Sequence, residues 1–434
     1  MADADALHAE LLSTRGACGA WCFDELLRMD EAALCARLHQ KVLNFYPADG
    51  VQPFVPLAAA GPWIVTAHGA VMYDVAGYGM NAFGHNPRFL LDAVGAPQVM
   101  ANVMTPSFAQ AKLTHALTSE IGRNWKGFNG ERRVVEQRPI SPLLDPAKAA
   151  TTAAVPPQSQ PDEETAMASP YHRFVCLNSG SEAVGLALRV TDAHARVATS
   201  KGAPHAGKTP VFITLKGSFH GRTDRAALAS HSTRLTYAET LASWRTVWDE
   251  EEEEEFLTRA TPVDVDDSFR EASPARLVDL GGGLANGERT LRTTLPPPCV
   301  YVDPNDVDSL RAAFALCEAQ GYFVEAFLME PVMGEGDPGR AIERGFYDEA
   351  RRLTRAHGGF FVVDSVQAGL RATGALSLVD YPGFATCDPP DFEVFSKALN
   401  GGQIPLSVVA FGAEAAEAYR AGIYGNTMVG PRGA

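Results

Sequence analysis

Phe360-Phe361-Val362-Val363-Asp364-Ser365-Val366-Gln367-Ala368-Gly369 and Asp391-Phe392-Glu393-Val394-Phe395-Ser396-Lys397-Ala398-Leu399-Asn400 are the stretches whose reading decides the fold. Each is a short apolar run that delivers one ionisable residue at its C-terminal end, Asp364 in the first and Lys397 in the second. Runs of this length and composition are those of strands buried on both faces of a parallel sheet. In such a sheet the C-terminal strand ends face the crevice where ligands bind.

Outward from this stretch the chain alternates strand-like and helix-like segments. Phe174–Leu177, Val211–Leu215, Ala326–Met329, Phe360–Val363, Phe392–Phe395 and Val408–Phe411 read as strands. Ser181–Arg196, Val307–Gln320 and Phe346–His357 read as helices, the last ended by Gly358-Gly359. This alternation predicts an α/β fold with a mostly parallel, twisted sheet covered by helices on both faces. Upstream, residues 1 to about 46 read as helical, and Pro47, Gly50, Pro53 and Pro56 then impose an extended segment. Trp63–Asp74 alternates around His68-Gly69 as a hairpin does, the glycine-rich passage Gly77–Pro87 follows, and Leu113–Ile121 reads as helix. Two segments break the pattern. Residues 127–170 and 249–298 are rich in Pro, Ser, Thr and Ala, and the second carries an acidic run and a triple glycine, so both read as irregular insertions.

Composition narrows the function. The chain has 434 residues, room for one large α/β domain and a smaller one, and 46% of them are hydrophobic. Its formal charge of −15 argues against nucleic acid or an anionic membrane as the main partner, and no uninterrupted apolar stretch approaches the length of a membrane span. The acidic start Met1-Ala2-Asp3-Ala4-Asp5 resembles neither a secretory signal nor a transit peptide. Seven cysteines without a Cys-x-x-Cys pair suit a reducing compartment, with cytoplasm the default, and no His/Cys set completes a metal site.

Three further segments follow strands and carry polar groups. Asn178-Ser179-Gly180-Ser181-Glu182 opens a helix, where free amides and hydroxyls make a phosphate cradle or, equally in kind, a plain N-cap. In Lys216–Thr223, Phe219 has the shape to stack on a flat ring or to pack in the core, and Arg222 to hold a carboxylate. Glu330–Gly336 places Glu330 and Glu335 in a glycine-rich turn. An aspartate and a lysine at neighbouring strand ends make either a buried ion pair or a seat for pyridoxal phosphate. In the second case the amine forms the imine and the carboxylate keeps the pyridine nitrogen protonated.

Together these motifs, in this order and spacing, resemble the class III pyridoxal-phosphate aminotransferases of fold type I, among them the ornithine, acetylornithine and 4-aminobutyrate enzymes. The match runs from about Asp74 to Gly430 apart from the two insertions. The resemblance implies a large domain with a seven-stranded, mostly parallel sheet (96–434) and the N-terminal part of a small domain (1–95) whose C-terminal part is absent. It implies Gly180 and Ser181 at the phosphate, Phe219 on the ring with His220 beside it, and Asp364 at the ring nitrogen. It further implies Val366 beneath the ring, Gln367 near the phenolic oxygen, and Lys397 as the Schiff-base lysine and catalytic proton carrier. Thr427, in Tyr424-Gly425-Asn426-Thr427, would reach the phosphate of a neighbouring subunit, so a homodimer is implied. Tyr78, Arg222 and Glu335 fall at substrate-binding positions. The implied reaction is transfer of an amino group from an ornithine-like ω-amino acid or amine to a 2-oxo acid. Other chemistry on the same cofactor, such as amine migration or decarboxylation, is an alternative. So is a shortened, non-catalytic remnant or partner subunit. Two residues depart from the family pattern, Met333 in place of glutamine and Ser365 in place of glutamate.

Overall fold

The structure is a computed structural model that describes residues 23–44, 52–96, 105–130, 169–233, 263–264 and 299–424, apart from 76, 82 and 172. Most of both expected insertions lies outside the described residues. Two compact units divide the chain, Met1–Gln98 with Gly401–Ile404 and Val99–Asn400 with Pro405–Ala434.

The first unit holds helices α1 (Phe23–Leu27) and α2 (Glu31–His39), strands β1 (Pro56–Ala60), β2 (Trp63–Thr66) and β3 (Val71–Tyr73), and helix α3 (Arg88–Gly95). Asp30 caps α2 by accepting from the Ala33 amide at 2.8 Å. The three strands form an antiparallel sheet in the order β1-β2-β3, and the β2–β3 hairpin turns at His68-Gly69, with Gly69 at φ +83°. His68 ties this turn to the helices through Glu31 Oε2 and the Met29 carbonyl, each at 2.8 Å.

The second unit contains α4 (Phe108–Glu120), β4 (Arg173–Leu177), α5 (Gly180–Ala198), β5 (Thr209–Leu215), α6 (Asp224–Ala229), β6 (Val263–Asp264), β7 (Cys299–Val302), α7 (Val307–Ala319), β8 (Tyr322–Met329), α8 (Arg344–Ala356), β9 (Phe360–Asp364), β10 (Phe392–Phe395), β11 (Ser407–Phe411) and α9 (Ala413–Ala418). Its sheet runs β4-β11-β10-β9-β8-β5-β7-β6, seven full strands with the two-residue β6 at one edge. The strands from β10 to β6 are parallel, and β11 is antiparallel to both its neighbours. Every residue of β8, β9, β10 and β11 is buried, as a sheet covered on both faces requires. Helix α5 lies on one face against β8, β9, β10 and β11, while α7 and α8 pack on β7, β8 and β9.

Local chemistry explains the elements that border the crevice. Ser179 caps α5 with a full capping box: its hydroxyl accepts from the Glu182 amide, and Glu182 accepts from the Asn178 and Ser179 amides. Helix α8 ends at Gly358 (φ +77°), and the next glycine lies so close to β8 that a Cβ there would come within 2.1 Å of the Val324 carbonyl oxygen. Glu325, fully buried in β8, is paired with Arg225, which also lies over the Phe212 ring at 4.9 Å. Burial pushes the Glu325 carboxyl upward against the pull of Arg225.

Two strands were not expected from the sequence. Strand β7 follows a triple proline at the end of the second insertion and is only Cys299–Val302, too short to stand out from a linker. Strand β6 falls inside that insertion.

Candidate active site

Chain order reverses direction across the sheet between β5 and β8. From β5 the chain goes to β6 and then β7 on one side, then returns to β8 on the other and continues to β9, β10 and β11. The crevice beyond the carboxyl ends of β5 and β8 is therefore the topological switch point. The register aligns the strand ends: Met329 pairs with Val363, and Asp364 with Val394. Glu330, Asp364 and Lys397 thus leave neighbouring strands close to one level.

Asp364 is 3% exposed and both its oxygens are engaged. Oδ1 accepts from the Val366 amide at 3.0 Å, and Oδ2 lies 2.9 Å from His220 Nδ1. His220 Nε2 lies 3.0 Å from the Thr214 hydroxyl at the end of β5. A proton on Nδ1 satisfies this chain, since the ring then donates to Asp364 and accepts from Thr214. The His220 side chain is fully buried behind the carboxylate, so its contact is with Asp364 and its effect is to hold that group in place.

Lys397 opens the turn after β10 and adopts φ +43°, a left-handed conformation that costs a non-glycine residue on the order of 1–3 kcal/mol. The turn is held from behind, where the Ser396 hydroxyl and the Asn400 amide both donate to the Leu406 carbonyl, at 3.0 and 2.6 Å. Lys397 Nζ donates to Gln367 Oε1 at 2.5 Å. Burial lowers the amine's proton affinity. The charges of Asp364, Glu330 and Glu335 oppose that shift, and Arg371 adds to it. The amine and the acid therefore both stand at the carboxyl end of the sheet, with Gln367 linking Lys397 to the segment that leaves Asp364.

The remaining expected residues of this unit line the same edge. Val366 lies against the start of α5, where a Cβ on Gly180 would approach its Cγ1 to 2.9 Å. Gly221, at φ +132°, leaves a Cβ only 2.6 Å from the Ser181 hydroxyl, so the loop after β5 is pressed onto the helix start. The Arg222 amide donates to that hydroxyl at 3.2 Å. Arg222 extends over the Phe219 ring at 5.0 Å and pairs with Glu335 at 3.0 Å, both side chains partly open to solvent. Tyr78 belongs to the first unit, in the single turn Gly77–Gly79, and its side chain is outside the described residues, as is Thr427.

Glu330 is a site residue that the sequence flagged only weakly. It is 2% exposed, and its two oxygens accept from the Phe219 amide at 2.9 Å and the Gly334 amide at 3.0 Å. It thereby joins the loop after β5 to the hairpin after β8. The signal was its position: like Asp364, it stands at the C-terminal end of a buried parallel strand. Burial pushes its carboxyl from the ordinary 4.5 up to about 7; the Asp364 charge adds to this, while His220 and the two amides oppose it. A carboxyl raised in this way stabilises the fold fully below its ordinary value and loses that contribution as pH climbs through about 7, a change on the order of 3 kcal/mol. Glu330→Gln is expected to flatten this fall in thermal stability between about pH 5 and pH 7.5. Unfolding curves across that range check it, and an unchanged slope would assign the pH dependence elsewhere.

The donor set fits pyridoxal phosphate. A buried carboxylate fixed by two donors suits a protonated pyridine nitrogen. A desolvated amine within its electrostatic reach suits the aldehyde. The Gly180 and Ser181 amides, which the α5 cap does not use, suit the phosphate.

Comparison with known proteins agrees with this fold. The architecture matches the crystal structure of ornithine aminotransferase from Toxoplasma gondii with a TM-score of 0.57 at 17% identity, over 95% of this chain and 71% of that one. The fold is therefore that of this aminotransferase. Residues 293–432 match the family "Aminotransferase class-III". Acetylornithine aminotransferase of Xanthomonas axonopodis pv. citri is 29% identical over 269 residues, 62% of this chain and 49% of that protein. An ornithine aminotransferase of Schizosaccharomyces pombe is 24% identical over 61% of this chain and 48% of its own length. The chain is similar to these aminotransferases over part of its length, and it spans about half the length of these curated relatives.

Proposed function

We propose that this chain is a pyridoxal-phosphate-dependent aminotransferase that moves an amino group from an ornithine-like ω-amino donor to a 2-oxo acid. The observation that carries the reading is the Lys397–Gln367 contact, which holds a desolvated amine beside the loop leaving Asp364. The ornithine and acetylornithine aminotransferases among its relatives support the reaction class, and pyridoxal phosphate partly occupies the active site of the Toxoplasma gondii enzyme.

When bound, the cofactor supplies an aldehyde for an amine and a ring that draws electrons from the bond beside the nitrogen. The chain's own residues do the rest. The Gly180 and Ser181 amides at the positive end of α5 would take the phosphate. Phe219 and Val366 would take the two faces of the ring. Asp364, oriented by His220, would keep the ring nitrogen protonated, and Gln367 would stand by the phenolic oxygen. Lys397, whose proton affinity burial lowers, would carry the proton between the substrate and the cofactor. Tyr78 is assigned to the substrate, and Thr427 to the phosphate of a second subunit in a homodimer. The buried free thiols Cys176, Cys299, Cys317 and Cys387 suit a cytoplasmic setting.

Arg222 has the fork that grips a substrate carboxylate, with Glu335 as its resting partner. Arg222→Lys keeps the charge and loses the fork, so KM for the carboxylate-bearing substrate is expected to rise about tenfold with a smaller change in kcat. Steady-state kinetics check this. The reading as a whole is tested by screening amino donors with 2-oxoglutarate on the purified full chain, alongside its visible absorbance with pyridoxal phosphate. Turnover without any acceptor would favour amine migration or decarboxylation, and no band would favour a non-catalytic role.

A further inference from the structure

The loop that carries Val366 and Gln367 leaves β9 at Ser365 and closes at Ser377-Leu378, and both its ends meet one side chain. Glu393 of β10 is fully buried. It pairs in register with Val363, two residues before Ser365, so it shares the sheet face of Ser365, opposite to that of Asp364. Its Oε1 accepts from the Ser365 hydroxyl at 2.5 Å and from the Leu378 amide at 2.8 Å. Its Oε2 accepts from the Tyr171 hydroxyl at 2.6 Å and from the Ser377 hydroxyl. All four donors are neutral, and none belongs to the amine–acid pair across the sheet.

We propose that Glu393 is a positioning residue: it pins both ends of the Ser365–Leu378 loop and so sets where Gln367 meets Lys397 and where Val366 meets α5. A carboxylate buried without a cation is an expensive way to fill a core position, and an apolar side chain of similar volume is often as stable. What the carboxylate adds is geometry, because two oxygens accepting four donors fix three chain segments at once. Between the pinned ends the loop is tightly folded. The Gly369 amide donates to the Ser365 carbonyl at 2.8 Å and the Leu370 amide to the Ala375 carbonyl at 2.8 Å, with Leu370 at φ +64°. A Cβ on Gly369 would lie 2.8 Å from the Ser365 carbonyl oxygen, so the path has little slack. A displacement at either end therefore passes to Val366 and Gln367.

The anchoring stands on geometry alone, whereas its chemical consequence rests on the function proposed above. The test uses the full chain with Glu393→Leu and Glu393→Gln. Amide hydrogen exchange over 366–378 is expected to speed up at least about tenfold while that of α5 and β5 is unchanged. The dissociation constant for pyridoxal phosphate, from absorbance titration, is expected to rise about tenfold, and Gln367→Ala added to Glu393→Leu to cost less than the product of the single losses. Multiplicative losses, or unchanged exchange, would overturn the proposal, because a merely structural residue would weaken binding without coupling to Gln367. Should Glu393→Leu fail to fold, Ser377→Ala and Tyr171→Phe each remove one donor and are read the same way. If the parent chain binds no pyridoxal phosphate, the functional reading fails, and the exchange measurement still decides the anchoring.

Discussion

Replacing Lys397 by alanine is expected to abolish the visible absorbance of bound pyridoxal phosphate and to lower amino transfer by at least about 10⁴-fold, on the order of 5 kcal/mol of barrier. On the proposed function both covalent attachment and proton transfer fall on this one amine. Lys216, the nearest lysine along the motifs, is paired with Asp303 at 3.0 Å and sits at the end of β5. The fold should tolerate the change. Lys397 is only partly buried, and its single described hydrogen bond is to Gln367, which keeps a donor and an acceptor for water or ligand. Its left-handed backbone is strained for alanine as it is for lysine. Absorbance spectra and single-turnover rates at equal folded concentration read this effect. Residual transfer within a few-fold of the parent would mean that another amine does the chemistry.

Asp364→Asn is expected to lower turnover by about 10³-fold while leaving the chain folded, because the preorganised charge on the ring nitrogen is lost but the hydrogen-bonding shape remains. Asparagine still accepts from the Val366 amide through Oδ1. Its Nδ2 would face His220, whose ring can move its proton to Nε2 and donate to Thr214 instead. That rearrangement bounds the structural loss at about 1–3 kcal/mol. Asp364→Ala lacks the compensation and leaves the His220 ring nitrogen and the Val366 amide without their acceptor, so it should destabilise more than Asp364→Asn. Thermal unfolding and kinetics run on both variants separate orientation from charge. Equal turnover in Asp364→Asn and the parent would exclude a role at the ring nitrogen.

Where the sequence was legible, a local pattern had a single physical cause. Strand–helix alternation and glycine-terminated helices gave the parallel sheet, and strand-end polar residues gave the edge at which Asp364 and Lys397 both stand. What was not legible came from partners distant in sequence. The reading began β8 at Ala326, whereas the strand begins at Tyr322, because Glu325 breaks the apolar run and only its pairing with Arg225 makes it a core residue. His220 read as a ligand neighbour of Phe219. Its full burial behind Asp364 depends on β5 and β9 meeting the same crevice, which spacing along the chain does not encode. Ser365 read as the loss of a carboxylate. The fold supplies one at that hydroxyl from Glu393 on the adjacent strand, a residue that reads as an interruption in an apolar run. Met333, the other departure, is 2% exposed, and its Cε would lie 3.2 Å from a Cβ on Gly217, so it packs the floor of the hairpin after β8.

The measurement that bears most directly on the account is borohydride reduction of the full chain after incubation with pyridoxal phosphate, followed by peptide mapping. The account predicts a reduced pyridoxyl group on Lys397, lost in Lys397→Ala and reduced in occupancy in Asp364→Asn. Label spread over surface lysines, or concentrated on any lysine but Lys397, would contradict it.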